Sequence, residues 1–271
     1  MFRVIRLFWV KGNQAAADCA RKAEKHLTEK GITVLCDDTR PERPPELVIT
    51  FGGDGTLLSG ARVALRYDIP LVGINLGTVG FLTEEEPGRL TEALDKILEG
   101  KYRIEERSLL EALHVRTGKT SVALNDIVMT RGGFARLIRV ECRVNDEEYG
   151  SFTADGLIVA TPTGSTGYSL SAGGPIVEPD MSCMIITPVC AHSLQHYSGV
   201  VSDRSVIRLY LSKEKYQSAM LQVDGQNMEA LQPGDEVIIQ GAGQRIRLLR
   251  LYPYQFFTVI RKKLSEWGSQ A

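Results

Sequence analysis

This chain has no excess of basic residues. Lys and Arg number 32 against 33 Asp and Glu, for a formal net charge of -1. A general nucleic-acid binder would show a basic surplus or a basic stripe, so no nucleic-acid partner is expected. No run approaches the roughly 18 apolar residues of a membrane-spanning helix, so no membrane partner is expected either. The apolar stretch from Met1 to Val10 is broken by Arg3 and Arg6 and carries no small-residue cleavage site, so it reads as a strand and not a leader. Cysteines are few and scattered: Cys19, Cys36, Cys142, Cys183 and Cys190, with no Cys-x-x-Cys. An odd, unclustered set fits reduced thiols in a cytoplasmic protein. Hydrophobic residues at 43% and charged residues at 24% are ordinary globular usage, which excludes disorder, collagen and coiled coil. There is no internal repeat and no low-complexity tract.

Several common motifs are also missing. Gly118-Lys119-Thr120 resembles the end of a phosphate-binding loop, but Leu113 stands where that loop needs its first glycine, and no helical pattern follows. Gly241-Ala242-Gly243 lacks the third glycine of a dinucleotide fingerprint, because Ile246 occupies it; a β-turn fits better. His192 and His196 are four apart, yet Ser193 replaces the glutamate of a zinc-protease helix, and two lone histidines fit packing or surface roles. No serine sits in a nucleophile elbow.

The first hundred residues alternate strand-like and helix-like patterns. Strands are expected over Val4–Val10, Ile32–Cys36, Leu47–Phe51 and Ile69–Ile74, and helices over Gln14–Lys30, Thr56–Tyr67 and Pro87–Glu99. That alternation predicts a parallel sheet flanked by helices. From Lys101 the pattern changes to short runs separated by turns such as Asn145-Asp146 and Pro233-Gly234-Asp235. The expected fold class is therefore an α/β N-terminal domain with a parallel sheet plus an all-β, sandwich-like C-terminal domain. The expected boundaries are 1–100 and 101–253, followed by a helical tail, 254–271, that docks back through Leu264 and Trp267.

Four segments carry chemistry. Gly52-Gly53-Asp54-Gly55-Thr56 follows an apolar strand and precedes a helix, where ligands of parallel sheets gather. Its glycines permit close backbone approach, and Asp54 could orient or deprotonate a hydroxyl, or help hold a metal. A turn whose Asp caps the next helix fits about equally well. Asn75-Leu76-Gly77-Thr78-Val79-Gly80-Phe81-Leu82-Thr83 follows the next strand, either as a second wall of one crevice or as an ordinary loop. Asn125-Asp126 interrupts an apolar strand; it could read an adenine edge and a sugar hydroxyl, though alone it reads as a bulge or turn. Finally, Asp155 to Pro175 is dense in Thr, Ser and Gly, and hydroxyls and exposed amides at that density suit phosphates and riboses without strong positive charge.

These four elements, in this order, resemble the NAD kinase family, which phosphorylates the 2′-hydroxyl of the adenosine ribose of NAD to make NADP. The Gly-Gly-Asp-Gly turn is shared with phosphofructokinase-like and diacylglycerol-kinase-like families, whereas Thr163 to Ser171 is far more specific, and Asp224-Gly225-Gln226 matches the family's late motif. The resemblance implies NAD bound between the two domains and homo-oligomers, dimers or tetramers. It implies Asp54 as proton acceptor with Gly55 beside the nucleotide, Asn125 and Asp126 as a nucleotide-binding pair, and Arg136 as a basic contact. Asp155, Thr166, Gly167, Tyr168, Ser169, Leu170, Ser171 and Gln226 are implied as further NAD contacts. Asp126 is a shorter variant of the Glu that many members carry. The run Cys190 to Tyr197 departs from the family, lacking its Pro before His-Ser-Leu and its Arg-Pro after.

A ribose hydroxyl ionises far above pH 7, so its attack needs alignment and a proton acceptor, with transfer late because a carboxylate is a weak base. Mg²⁺ carried with ATP would supply the positive charge that the chain lacks. A lipid or sugar kinase sharing the glycine turn is the alternative enzyme, against which stand the absence of an amphipathic membrane-binding stretch and the long hydroxyl-rich match. A non-catalytic dinucleotide sensor is the alternative outside enzymology, against which stands the retention of Asp54. The phosphoryl donor, ATP or polyphosphate, is left open by the sequence.

Overall fold

The computed structural model describes residues 2–36, 43–77, 80–83, 87–133, 137–192, 197–213, 218–253 and 255–268. They fall into two compact units: Met1–Glu106 with Ile246–Ala271, and Arg107–Arg245.

The first unit runs β1 (Val4–Trp9), α1 (Gln14–Glu29), β2 (Thr33–Leu35), β3 (Leu47–Phe51), α2 (Asp54–Tyr67), β4 (Leu71–Ile74), α3 (Leu90–Leu98) and β5 (Arg103–Arg107). β1, β2, β3 and β4 pair in parallel. β3 and β4 are buried at every position, which is why both read as unbroken apolar runs. Asn13 caps α1 through the Ala16 amide at 3.1 Å, and Gly31, at φ +78°, follows its end. The buried face of α1 (Ala16, Cys19, Ala20, Ala23, Leu27) and that of α3 (Leu90, Ala93, Leu94, Ile97) share one core with Ile5, Ile49, Phe51 and Ile74.

The second unit runs β6 (Leu110–His114), β7 (Lys119–Ala123), β8 (Asp126–Arg131), β9 (Ile138–Val144), β10 (Glu147–Ala154), β11 (Gly156–Ala160), α4 (Tyr168–Ser171), β12 (Cys183–Val189), β13 (Gly199–Ser202), β14 (Ile207–Leu211), β15 (Ala219–Val223), β16 (Gln226–Leu231) and β17 (Glu236–Gly241). They form two six-stranded sheets, ordered β10-β9-β14-β17-β6-β7 and β13-β12-β11-β8-β15-β16. The first alternates buried residues with exposed ones in β9 and with half-buried ones in β14. Its inward face (Val140, Cys142, Leu209, Ile239) meets Met129, Leu157, Val159 and Ile186 of the second in one core. β11 and β12 are buried throughout, because Val177 and Ala172 cover the other face of their sheet. Asn145 and Asp146, both at positive φ, make a two-residue hairpin turn between β9 and β10.

The chain then completes the first unit with β18 (Ile246–Arg250), which pairs in parallel with β4 and has β5 as its other neighbour. α5 (Phe256–Gly268) follows, burying Phe256 and Ile260. Leu264, expected to dock this tail, is instead 43% exposed, although it continues the Phe256–Ile260 stripe by one further turn; the side chain of Trp267 lies outside the described residues. Among the described residues no helix is long and apolar enough to cross a membrane.

Candidate active site

β3 ends in the glycine turn. Gly52 sits at φ +150°, and a Cβ there would stand 2.3 Å from Thr56 Oγ1, so glycine alone lets the chain turn this tightly into α2. The helix begins two residues earlier than its pattern suggests, and Asp54 is its first residue. Gly53 occupies the cap position with no side-chain hydrogen bond, so Asp54 is not the helix cap that the turn alone allowed. Its half-buried carboxylate reaches instead to the segment after β4. Oδ2 accepts the Phe81 amide at 2.7 Å; Oδ1 accepts the amides of Leu82 at 3.0 Å and Thr83 at 3.3 Å, and the Thr83 hydroxyl at 3.4 Å. The strand ends are tied as well, the Gly52 amide donating to Ile74 at 2.9 Å. The two glycine motifs thus meet at the carboxyl ends of neighbouring strands. Gly80 is obligatory there, since a Cβ would lie 2.0 Å from Asp54 Oδ1. Gly55 is exposed on the first turn of α2; Thr78 and Val79 lie outside the described residues.

In the second unit, Asn125 lies in the turn between β7 and β8, and Asp126 opens β8. The Asp224 carboxylate holds that turn, accepting the amides of Leu124 at 3.0 Å, Asn125 at 2.7 Å and Asp126 at 3.3 Å. Asp224 and Gly225, at φ +48° and +73°, form the hairpin turn that presents the exposed Gln226. The hydroxyl-rich segment closes on the same turn. Thr161 donates its hydroxyl to the Leu124 carbonyl at 2.6 Å and its amide to that of Asn125 at 2.8 Å. A Cβ on Gly164 would come within 2.1 Å of the Asn125 carbonyl. Gly167 approaches Asn125 Nδ2 and Asp126 Oδ2, to which its Cβ would lie 3.6 and 3.9 Å away.

Asp126 is 5% exposed, and its carboxyl is pushed up to about 7, by burial first and by the Asp224 charge second. Tyr168, on the exposed side of α4, has its phenol raised by partial burial, then by the neighbouring Cys190, Asp155 and Asp126. The structure therefore brings Asn125, Asp126, Gly167, Tyr168 and the 224–226 hairpin together. Leu170 is half-buried and Ser171 exposed beside them. Other candidates are engaged within the fold: Thr166 bonds the Thr163 carbonyl at 3.3 Å, the buried Ser169 hydroxyl meets that of Thr187 at 3.0 Å, and Asp155 pairs with Arg131 at 2.5 Å. Arg136 and His196 lie outside the described residues, and His192 is exposed. Thr187 and the buried Arg250 are not among the candidate residues of the sequence, and Thr161 enters only as part of the hydroxyl-rich run; Arg250 leaves a trace as an arginine in an apolar strand, and Thr187 leaves none.

Comparisons with known proteins agree with this arrangement. Residues 10–102 match the ATP-NAD kinase N-terminal domain and residues 124–251 the ATP-NAD kinase C-terminal domain. Fold and matches together define a two-domain phosphotransferase. The chain is 45% identical to the NAD kinase of Heliobacterium modesticaldum over 83% of its own length and 80% of that protein's. It is 42% identical to that of Carboxydothermus hydrogenoformans, covering 88% and 86%. The chain belongs to the NAD kinase family. Among solved structures, a yeast NADH kinase complexed with NADH superposes with TM-score 0.81 at 25% identity, covering 92% of this chain and 83% of that one. An Archaeoglobus fulgidus NAD kinase in complex with ATP gives 0.77 at 26%, covering 97% and 98%.

Proposed function

We propose that this protein transfers the terminal phosphoryl group of ATP to the 2′-hydroxyl of the adenosine ribose of NAD, forming NADP and ADP. The observation that carries the reading is the Asp54 carboxylate: it caps no helix, and three backbone amides hold it in one orientation at the carboxyl end of a parallel sheet. Oδ1 receives three donors and Oδ2 one among the described residues, so Oδ2 is the oxygen that meets the ribose hydroxyl. The hydroxyl oxygen forms its bond to the terminal phosphorus while the bond to the ADP oxygen breaks, and the proton passes to Asp54 late. Alignment, more than basicity, is what the fixed carboxylate contributes.

Asn125, Asp126, Asp155, Gln226 and the 166–171 segment hold the dinucleotide, the segment through groups other than the Ser169 hydroxyl, which is turned inward to Thr187, with Arg136 as a further contact. A carboxyl near neutrality at Asp126 can donate or accept toward a ribose hydroxyl. Mg²⁺ enters as part of the MgATP substrate. We further propose that the two units are the functional domains, and that the enzyme works in the cytoplasm as a homo-oligomer, dimer or tetramer. Incubation with NAD, ATP and Mg²⁺, with NADP measured by enzymatic cycling, tests the reading. NADP formation supports it; NAD binding without ADP release would support a sensor. Phosphorylation of diacylglycerol or a sugar, with NAD untouched, would move the chain to the other kinases that share its glycine turn. Replacing ATP by polyphosphate defines the donor.

A further inference from the structure

The segment that orients Asp54 is itself held from the opposite side by a charge. Arg250, on β18, is 1% exposed. Its Nη1 donates to the Leu82 carbonyl at 3.0 Å, and its Nε to Glu105 Oε2 of β5 at 2.6 Å. The carbonyl of Leu82 and the amide of Thr83 belong to one planar peptide unit. That unit therefore has a guanidinium at its oxygen end and the Asp54 carboxylate, 3.3 Å away, at its N–H end. A peptide dipole between a cation and an anion is polarised in the sense that strengthens both hydrogen bonds, more so where water is excluded.

We infer that Arg250 is a positioning residue for phosphoryl transfer, acting on Asp54 through the Leu82–Thr83 peptide, with Glu105 fixing the guanidinium. The inference rests on the reading of Asp54 as proton acceptor. A buried arginine has an ordinary structural use, in pinning β18 beside β5, and Glu105 alone would serve that. The second bond, to the carbonyl of the peptide that orients the carboxylate, is what that use leaves unexplained. A misplacement of the order of 1 Å at a reacting group costs up to about 10²-fold in rate, so loss of the guanidinium should lower turnover and not substrate binding.

The test compares full-length wild type with Arg250→Met, Arg250→Lys, Glu105→Ala, Asp54→Asn and the Asp54→Asn/Arg250→Met double variant. Melting temperature, kcat and KM for NAD and for ATP are measured for each. Arg250→Met should lower kcat by about 10- to 100-fold with both KM values within about twofold of wild type. Arg250→Lys, which keeps a cation but not the fork, should recover part of that loss. If Arg250→Met does not fold, Glu105→Ala decides: it loosens the guanidinium from a partly exposed position and should lower kcat several-fold at unchanged KM. The double variant should be no slower than Asp54→Asn alone, because both act at one carboxylate. A folded Arg250→Met with wild-type kcat, or a fall in kcat that adds fully to that of Asp54→Asn, overturns the inference while leaving Asp54 in its role. Wild-type turnover by Asp54→Asn removes the proton-acceptor reading and this inference with it.

Discussion

Replacing Asp126 by Asn should stabilise the protein near neutral pH, and the size of the effect follows from the burial of the carboxyl. Unfolded, an aspartate titrates near 3.9. Folded, Asp126 is pushed up to about 7 because it is buried and faces the Asp224 carboxylate. Between about pH 4 and pH 7 the unfolded chain is ionised here while the native chain keeps its proton. The native state then binds more protons, so stability falls as pH rises through that window and stops falling above it. At about 1.36 kcal/mol per pH unit, the loss is of the order of 4 kcal/mol. An Asn side chain cannot ionise, and its amide can donate toward Asp224. Urea titrations of both proteins from pH 4 to pH 8.5 check the prediction: the wild type should lose stability across the window, the variant should show a much flatter profile, and the gap should reach a few kcal/mol at pH 8. A variant no more stable than wild type at pH 8, with the same pH slope, would refute the argument that burial holds this carboxyl protonated.

Three further outcomes are expected. Gly164→Ala sets a Cβ against the Asn125 backbone at 2.1 Å and should cost roughly 1–3 kcal/mol in thermal unfolding, with weaker NAD binding by calorimetry. Ser169→Ala removes a buried hydroxyl paired with Thr187 and should lower stability by about 1 kcal/mol while leaving KM for NAD unchanged; a large rise in KM would show that the hydroxyl contacts substrate instead. Asp235 is held down to about 2, chiefly by the Arg116 guanidinium, so its contribution is full above pH 4 and is lost as pH falls through about 2. Arg116→Ala should therefore move the acid-unfolding midpoint upward, read by circular dichroism.

Much of the fold is legible because its patterns are local. The apolar runs at Leu47–Phe51 and Leu71–Ile74, and the hairpin residues Asn145-Asp146, each determine their own backbone. The destination of Ile246–Arg250 is not written that way. Those residues could form a strand in either unit, and only packing beside β4 commits them to the first unit. The site divides along the same line. The glycine turn and the hydroxyl-rich segment announce themselves by composition, but that Asp54 bonds the amides of residues 81–83 and not the head of its own helix depends on where a neighbouring strand ends. Likewise, nothing around Ser169 distinguishes a hydroxyl turned inward to Thr187 from one turned to a ligand.

The central claim concerns Asp54, and one comparison tests it most directly. Wild type and Asp54→Asn, both shown by calorimetry to bind NAD, are mixed with saturating MgATP, and NADP formation is followed in a single turnover. The account predicts that the variant forms NADP at least about 10²-fold more slowly, at similar NAD occupancy. A bound, folded variant that forms NADP at the wild-type rate would contradict it.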